Sequence, residues 1–277
     1  MRIRVKQEPE QIEIEAQELH PQLLPVGDGE TRRDIAFLRR PALDIGATRP
    51  GLVWLGGFMS HMGSAKATCL DQWEARRGRG FLRFDYSGHG LSEGRFETGT
   101  IGRWLEEALA VIRTASEGPQ ILIGSSMGGW LALLCARAFA ESGEIERLAG
   151  LVLIAPAVDF TQKLIYERLP PEARQQLDEN GVWMRASAYA DTPYPITRNL
   201  IEEGRQHLLF GETIRTYCPV HILQGMRDED VPWQHAMTLV EHLAGDPVTL
   251  TLVKDGDHRL SRDEDLARLT QAIEAIG

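Results

Sequence analysis

Residues 120–139 read QILIGSSMGGWLALLCARAF: an apolar run, a Gly-Ser-Ser-Met-Gly-Gly corner, then a helical pattern with no linker between them. No other stretch narrows the fold so far. A buried strand that turns at once into a buried helix needs glycines at the crossing, where a Cβ would hold the two backbones apart. Such a unit belongs to βαβ architecture, in which the helix returns over the face of the sheet.

The rest of the chain repeats the theme. Short apolar runs bounded by Gly, Pro or Asp occur at 51–57 (GLVWLGG), 80–85 (GFLRFD), 151–156 (LVLIAP), 220–225 (VHILQG) and 248–253 (VTLTLV). They alternate little between polar and apolar, as strands buried on both faces do. Helical patterns lie between them. Over 101–113 one stripe carries Ile101, Trp104, Leu105, Ala108 and Ile112; near the C-terminus Ser261 and Glu264 have capping-box spacing before Leu266, Leu269, Ile273 and Ile276. A mostly parallel sheet with helices on both faces follows. QIEIEA at 11–16 and DIAFLRR at 34–40 are read as antiparallel strands that open it. Residues 157–215 break the alternation with apolar and Pro-rich pieces and no evident strand, and are expected to form an insertion on top of one domain spanning 1–277.

The sequence has 277 residues and a formal net charge of −10, which argues against a nucleic-acid or anionic-membrane surface. Three cysteines without CxxC spacing (Cys69, Cys135 and Cys218) make neither a disulfide framework nor a thiolate zinc site, and read as small core residues. The first residues show no apolar signal region, and no stretch is apolar for the roughly 18 residues of a membrane span. A cytoplasmic location is therefore expected.

Gly124-Ser125-Ser126-Met127-Gly128 fits G-x-S-x-G, but so does Gly90-Leu91-Ser92-Glu93-Gly94. Context separates them. A nucleophilic serine of this type needs a strand entering and a helix leaving, so that a strained turn lifts it above the sheet edge. Only Ser126 has both; Ser92 has loop residues on either side, and Ser125 is expected to pack or hydrogen-bond nearby. A serine hydroxyl also needs a base, and the base needs a carboxylate to hold its tautomer. Asp228 lies three residues past the Gly that ends one late strand, and His258 follows the last. The order Ser126, Asp228, His258 matches strand ends throughout. Asp230 and Asp159 remain alternatives for the acid, the first as a loop neighbour and the second just after LIAPA. His20, His221, His235 and His242 have no such placement; His207, within 157–215, is a candidate for substrate contact. The oxyanion requires backbone donors, and the candidates are the N–H groups of Met127 and of Phe58 in the glycine-bearing loop LGGFMSHMGS.

From about residue 50 onward the chain resembles the α/β-hydrolase superfamily, on LRFDYSGHGLSEG (82–94), GPQILIGSSMGGWLAL (118–133) and DGDHR (255–259). GVWMRASAY (181–189) and LQGMRDEDVPW (223–233) are similar to the branch containing mammalian α/β-hydrolase domain-containing protein ten. The resemblance implies an eight-stranded, mostly parallel sheet with a helical cap, and serine esterase or thioesterase activity on long acyl groups, with Ser126 as nucleophile, Asp228 as acid and His258 as base. It implies neither metal nor organic cofactor, and a small-molecule ester or acyl thioester as partner. Trp183, Met184 and Leu208, with Tyr189, Tyr194, Leu209 and Phe210, are candidates to line an acyl channel, although packing of the cap on the core would account for most of them. A serine peptidase of the same fold and a non-enzymatic ligand-binding member are the alternatives. Ser126 argues against dehalogenase or epoxide-hydrolase chemistry, which needs a carboxylate nucleophile.

Overall fold

The computed structural model describes residues 19–43, 48–186, 193–243 and 245–277. Among them, eight strands form one sheet: β1 (Gln22–Val26), β2 (Arg33–Arg40), β3 (Gly51–Leu55), β4 (Phe81–Phe84), β5 (Gln120–Ser125), β6 (Leu148–Ile154), and two later ones, Val220–Gly225 and Val248–Val253. β7 (Val182–Arg185) and β8 (Tyr194–Thr197) pair separately, so the last two sheet strands are β9 and β10. The order is β1-β2-β4-β3-β5-β6-β9-β10. β2 runs antiparallel to β1 and to β4, and every pair from β4 to β10 is parallel.

Side chains alternate cleanly between two cores. Val53, Leu55, Leu122, Leu151, Leu153 and Ile222 face one side, with α2 (Ile101–Ala115) and α3 (Met127–Glu141) packed on them. Leu52, Trp54, Ile121, Ile123, Val152 and Leu223 face the other, against α1 (Ala65–Ala75) and a C-terminal helix, Asp263–Glu274. Burial on both faces is why these strands read as unbroken apolar runs. α2 buries Ile101, Trp104, Ala108 and Ile112 and starts at Thr100, whose side chain accepts from Arg103 N at 3.2 Å. The C-terminal helix begins one residue later than Ser261 and Glu264 suggest. Arg262 is its N-cap, and Arg262 N donates to Asp265 Oδ2 at 3.2 Å. The buried Asp265 wins this position because it also binds the Arg262 guanidinium, at 2.8 Å.

DIAFLRR forms β2 as expected. QIEIEA lies outside the described residues. Among the described residues the sheet opens with β1, which pairs with β2, carries Pro25 and has mostly exposed side chains. An edge strand can tolerate such a sequence, which therefore carries little strand signal. Between β6 and β9 lie α4 (Pro171–Asn180), the β7–β8 hairpin and α5 (Arg198–Gly204), with α6 (Trp233–His242) after β9. The hairpin corrects the expectation of no strand in 157–215. Its four-residue strands are half exposed and one contains Pro195, so neither alternation nor an apolar run marks them.

Candidate active site

The parallel strands end along one edge of the sheet, and the residues singled out above lie in the loops there. Ser126 follows β5 with φ 55° and ψ −117°, a conformation that costs a non-glycine residue about 1–3 kcal/mol. Its backbone is tied down on both sides. Ser126 N donates to Ile154 O at 2.9 Å, and Ser126 O accepts from Gly129 N at 2.9 Å and Ala157 N at 3.0 Å. The glycines are needed here: a Cβ on Gly124 would run into Gly128 O, and one on Gly128 into Leu55 O. Met127 opens α3, so its N–H belongs to the positive end of that helix. Ser92, the second G-x-S-x-G serine, has a different task. Its Oγ donates to Asp85 O at 2.6 Å and accepts from Ala36 N at 2.8 Å, tying its loop to β2.

Asp228 and His258 meet. His258 Nδ1 lies 2.8 Å from Asp228 Oδ2, and the acid side chain is fully buried while the imidazole is 17% exposed. Gln224 Nε2 donates to the same oxygen at 3.2 Å, and Asp228 Oδ1 accepts from Asp230 N at 3.0 Å and Val231 N at 2.8 Å. Four donors occupy the lone pairs of the carboxylate. The loops after β9 and β10 are also stitched together, by Arg227 N to Gly256 O at 2.9 Å, and a Cβ on Gly225 would strike that carbonyl. In the segment that follows His258, Arg259 O and, at 3.3 Å, Ser261 Oγ accept from Lys66 of α1, whose ammonium burial pulls down to about 8. One atom each from Asp228, Asp230 and His258 falls within 4.8 Å of the others. The saturated Asp228 carboxylate suits an imidazole partner better than a cation, and Asp230 faces Arg185 Nη2 at 3.3 Å.

On the other side of Ser126, the loop after β3 comes close enough that a Cβ on Gly57 would lie 3.3 Å from Ser126 Cβ. Ser60 N closes the turn on Gly57 O at 3.1 Å. Phe58 sends its ring into an aromatic wall, 4.8 Å from Phe96, 5.5 Å from Phe160, 5.7 Å from Tyr194 and 5.9 Å from Trp104 between centroids. Its side chain thus anchors the loop one residue after Gly57, the residue that approaches Ser126.

The remaining expectations divide. Trp183 and Leu208 are half-buried against the main core, Leu209 is buried, and Met184 is 49% exposed; Tyr189 lies outside the described residues. Asp159 is not paired with a histidine. It is buried at φ 54° and accepts from Leu209 N at 2.8 Å and Phe210 N at 2.9 Å, fixing that segment over the sheet. Burial raises its proton affinity, and those two bonds oppose the rise. His207 Nε2 lies 2.7 Å from Glu203, which also takes Gly102 N at 3.0 Å, so its contact is within the fold. Cys135 and Cys218 are buried as expected, whereas Cys69 is partly exposed. Sequence reasoning missed Gln224, which donates to Asp228, and Arg185, which faces Asp230. Only Gln224 left a signal, as a polar residue inside an apolar run.

The chain matches the Alpha/beta hydrolase family over residues 46–272. It is 33% identical over 263 residues to the human palmitoyl-protein thioesterase ABHD10, mitochondrial, covering 92% of this chain and 83% of that protein. A solved protein of Agrobacterium vitis S4 superposes with a TM-score of 0.89 at 48% identity, covering 94% of this chain and 99% of the other. Mouse alpha/beta hydrolase domain-containing protein 10 gives a TM-score of 0.79 at 32% identity, with 92% and 97% covered. The cytoplasmic expectation is corrected by the curated relatives, from cattle, orangutan, human and mouse, which are all named as mitochondrial proteins. Among the described residues no helix is long and apolar enough to cross a membrane. By sequence and by architecture, the chain belongs to the alpha/beta hydrolase family.

Proposed function

We propose that this protein hydrolyses carboxylic esters and thioesters through an acyl-enzyme on Ser126. The observation that carries the reading is the 2.8 Å contact between His258 Nδ1 and the buried Asp228, at the same sheet edge as the strained Ser126 turn. Asp228 accepts a hydrogen bond from His258 Nδ1–H, which keeps the proton on Nδ1 and leaves Nε2 as the base. His258 takes the Ser126 hydroxyl proton as Oγ attacks the acyl carbonyl, and the N–H groups of Phe58 and Met127 receive the oxyanion. His258 then protonates the departing alcohol or thiol, and water repeats the sequence to release the acid. Each step uses groups of the chain itself, with no metal or organic cofactor.

Residues 157–215 serve in this reading as a cap within a single domain over 1–277. Trp183, Met184 and Leu208 are proposed to contact the acyl chain; the exposed Met184 suits that role best, and Trp183 and Leu208 also pack the cap onto the core. The relatives named palmitoyl-protein thioesterases favour long acyl thioesters as substrates. The test is kcat/KM for matched C2 to C16 oxygen esters and thioesters, with Ser126→Ala as the blank. Rates that rise with chain length and drop by about 10⁴–10⁶ in the variant are expected. A preference for short oxygen esters would remove the long-acyl assignment. Turnover that persists in Ser126→Ala would remove the mechanism.

A further inference from the structure

The imidazole of His89 is buried under the loop that follows β3, and no step of the proposed reaction employs it. Its Nδ1 lies 3.1 Å from Ser87 O and its Nε2 3.2 Å from the backbone nitrogen of Met59. A carbonyl can only accept and a backbone N–H can only donate, so these neighbours assign the tautomer. Nδ1–H donates to Ser87 O, and Nε2 accepts from Met59 N–H. Both contacts require the neutral ring, and burial favours that form. The ring is clamped edge-on by Phe96 at 5.1 Å, Trp104 at 5.3 Å and Tyr86 at 5.8 Å. Phe96 and Trp104 also hold the ring of Phe58, so His89 and Phe58 rest on one wall.

Met59 needs such a tie. It sits at φ 59° and is 53% exposed, so packing does little to keep it in a region that non-glycine residues avoid. The peptide that joins Phe58 to Met59 is the neighbour of the one that carries Phe58 N–H. Releasing it frees the dihedral angles of Phe58, and the aim of that N–H drifts with them.

We propose that His89 is a positioning residue for the oxyanion site: its Nε2 pins Met59 N–H and thereby fixes the direction of Phe58 N–H. The inference rests on the reading of Phe58 as an oxyanion donor beside Ser126. His89 touches no reacting atom, and its effect passes entirely through the loop backbone.

His89→Phe isolates the bond. It keeps a buried ring against Phe96, Trp104 and Tyr86, and Ser87 O stays satisfied by Trp104 Nε1 at 3.2 Å. Met59 N–H alone is left without its acceptor. His89→Gln restores an acceptor, and His89→Met provides a second apolar variant in case the Phe variant does not fold. All are assayed for kcat and KM on one acyl thioester, and for the Ki of an alkyl trifluoromethyl ketone. Ser126 Oγ adds to the ketone carbon, its proton passes to His258, and the carbonyl electron pair becomes an alkoxide in the oxyanion site. Removing a direct oxyanion donor costs about 10²–10³ in kcat, so an indirect loss of about 10- to 100-fold is expected. KM should stay within twofold, the ketone Ki should rise by the same factor as kcat falls, and Gln should recover most of both. A folded apolar variant with kcat within threefold of wild type, a loss carried by KM, or a Gln variant no better than Phe overturns the proposal. Ser126→Ala in the same assay separates the two claims. If it abolishes turnover while His89→Phe does not change it, only the His89 inference falls; if it retains turnover, the hydrolase reading falls first.

Discussion

The stretches around Asp228 and around Phe58 are held by different means. After β9, Asp228 is enclosed by polar contacts: His258 and Gln224 on one oxygen, Asp230 N and Val231 N on the other, with the neighbouring backbone bonded across to the loop after β10. After β3, the stretch around Phe58 is held by rings, with Phe58 against Phe96, Phe160, Trp104 and Tyr194, and by single bonds from Ser60 N and Met59 N, while polar bonds gather at the far end of the loop, where Met62 N donates to Asp85 Oδ1 at 2.6 Å and Met62 O accepts from Arg83 Nη1 at 2.9 Å. The difference follows from what each presents. A buried carboxylate stays charged only if donors replace the water it has lost. In the proposed mechanism the stretch around Phe58 offers a donor to the substrate, so that donor cannot be spent on the fold and the stretch must be fixed by what lies beside it.

The largest effect is expected where the acid is broken. Asp228→Asn places an amide against His258 Nδ1 and favours the wrong tautomer, so kcat should fall by about 10⁴ while the protein stays folded. Steady-state kinetics on a thioester checks this; a loss below tenfold would show that another carboxylate orients the base, Asp230 being the one with an atom within 4.8 Å of both Asp228 and His258. Asp159 extends the same rule to the insertion, where its carboxylate accepts two backbone N–H groups. Asp159→Ala leaves both donors without their acceptor and should cost about 3 kcal/mol in urea unfolding, since bonds to charged groups contribute about 1.5–3 kcal/mol each. An unchanged midpoint would mean that water or a neighbour replaces the carboxylate at little cost.

This contrast also explains what could be read from the sequence. The strands buried on both faces declared themselves as apolar runs, and Ser126, Asp228 and His258 could be chosen because each follows such a run. Phe58 was accessible for the same reason, through the glycines after β3. The β7–β8 hairpin was not, because four-residue, half-exposed strands carry neither period. Nor was Asp159 as an anchor, since the N–H groups it accepts belong to residues some fifty positions later. His89 was hidden in a similar way. Its partner Met59 is thirty residues upstream, and the bond goes to backbone, which leaves no trace in side-chain identity.

Acid should also weaken the fold through α6. His235 of α6 lies 2.8 Å from Val158 O through Nε2, and burial pulls its imidazole down to about 4, with the Val158 bond opposing. Unfolded, the ring takes a proton near its ordinary value of 6.5. Between these values the unfolded chain binds more protons, so this contribution is complete above pH 6.5 and is lost as pH falls towards 4. His235→Gln, which can still donate to Val158 O, should flatten the acid limb by about 2–3 kcal/mol at pH 4.5, at 1.36 kcal/mol per pKa unit. Urea midpoints of both proteins from pH 7.5 to 4.5 measure it. Parallel curves would mean that the ring protonates within the fold at no cost.

The smallest effect tests the contrast most directly. Gln224 is fully buried, and its Nε2 is surrounded by three acceptors: Asp228 Oδ2 at 3.2 Å, Gly225 O at 3.0 Å and Val231 O at 3.0 Å. Two protons cannot serve three acceptors fully, so the amide shares them, and the carboxylate depends on it for only part of one bond. Gln224→Met keeps the volume and removes those donors. Asp228 would retain His258, Asp230 N and Val231 N, and kcat should fall no more than about tenfold, or 1.4 kcal/mol, with KM unchanged. His89→Phe, which removes the bond that holds Met59 N beside Phe58, should cost more than this. If Gln224→Met proves the more damaging of the two, the acid is not held by redundancy, and the division of labour between the loops fails at its better-bonded side.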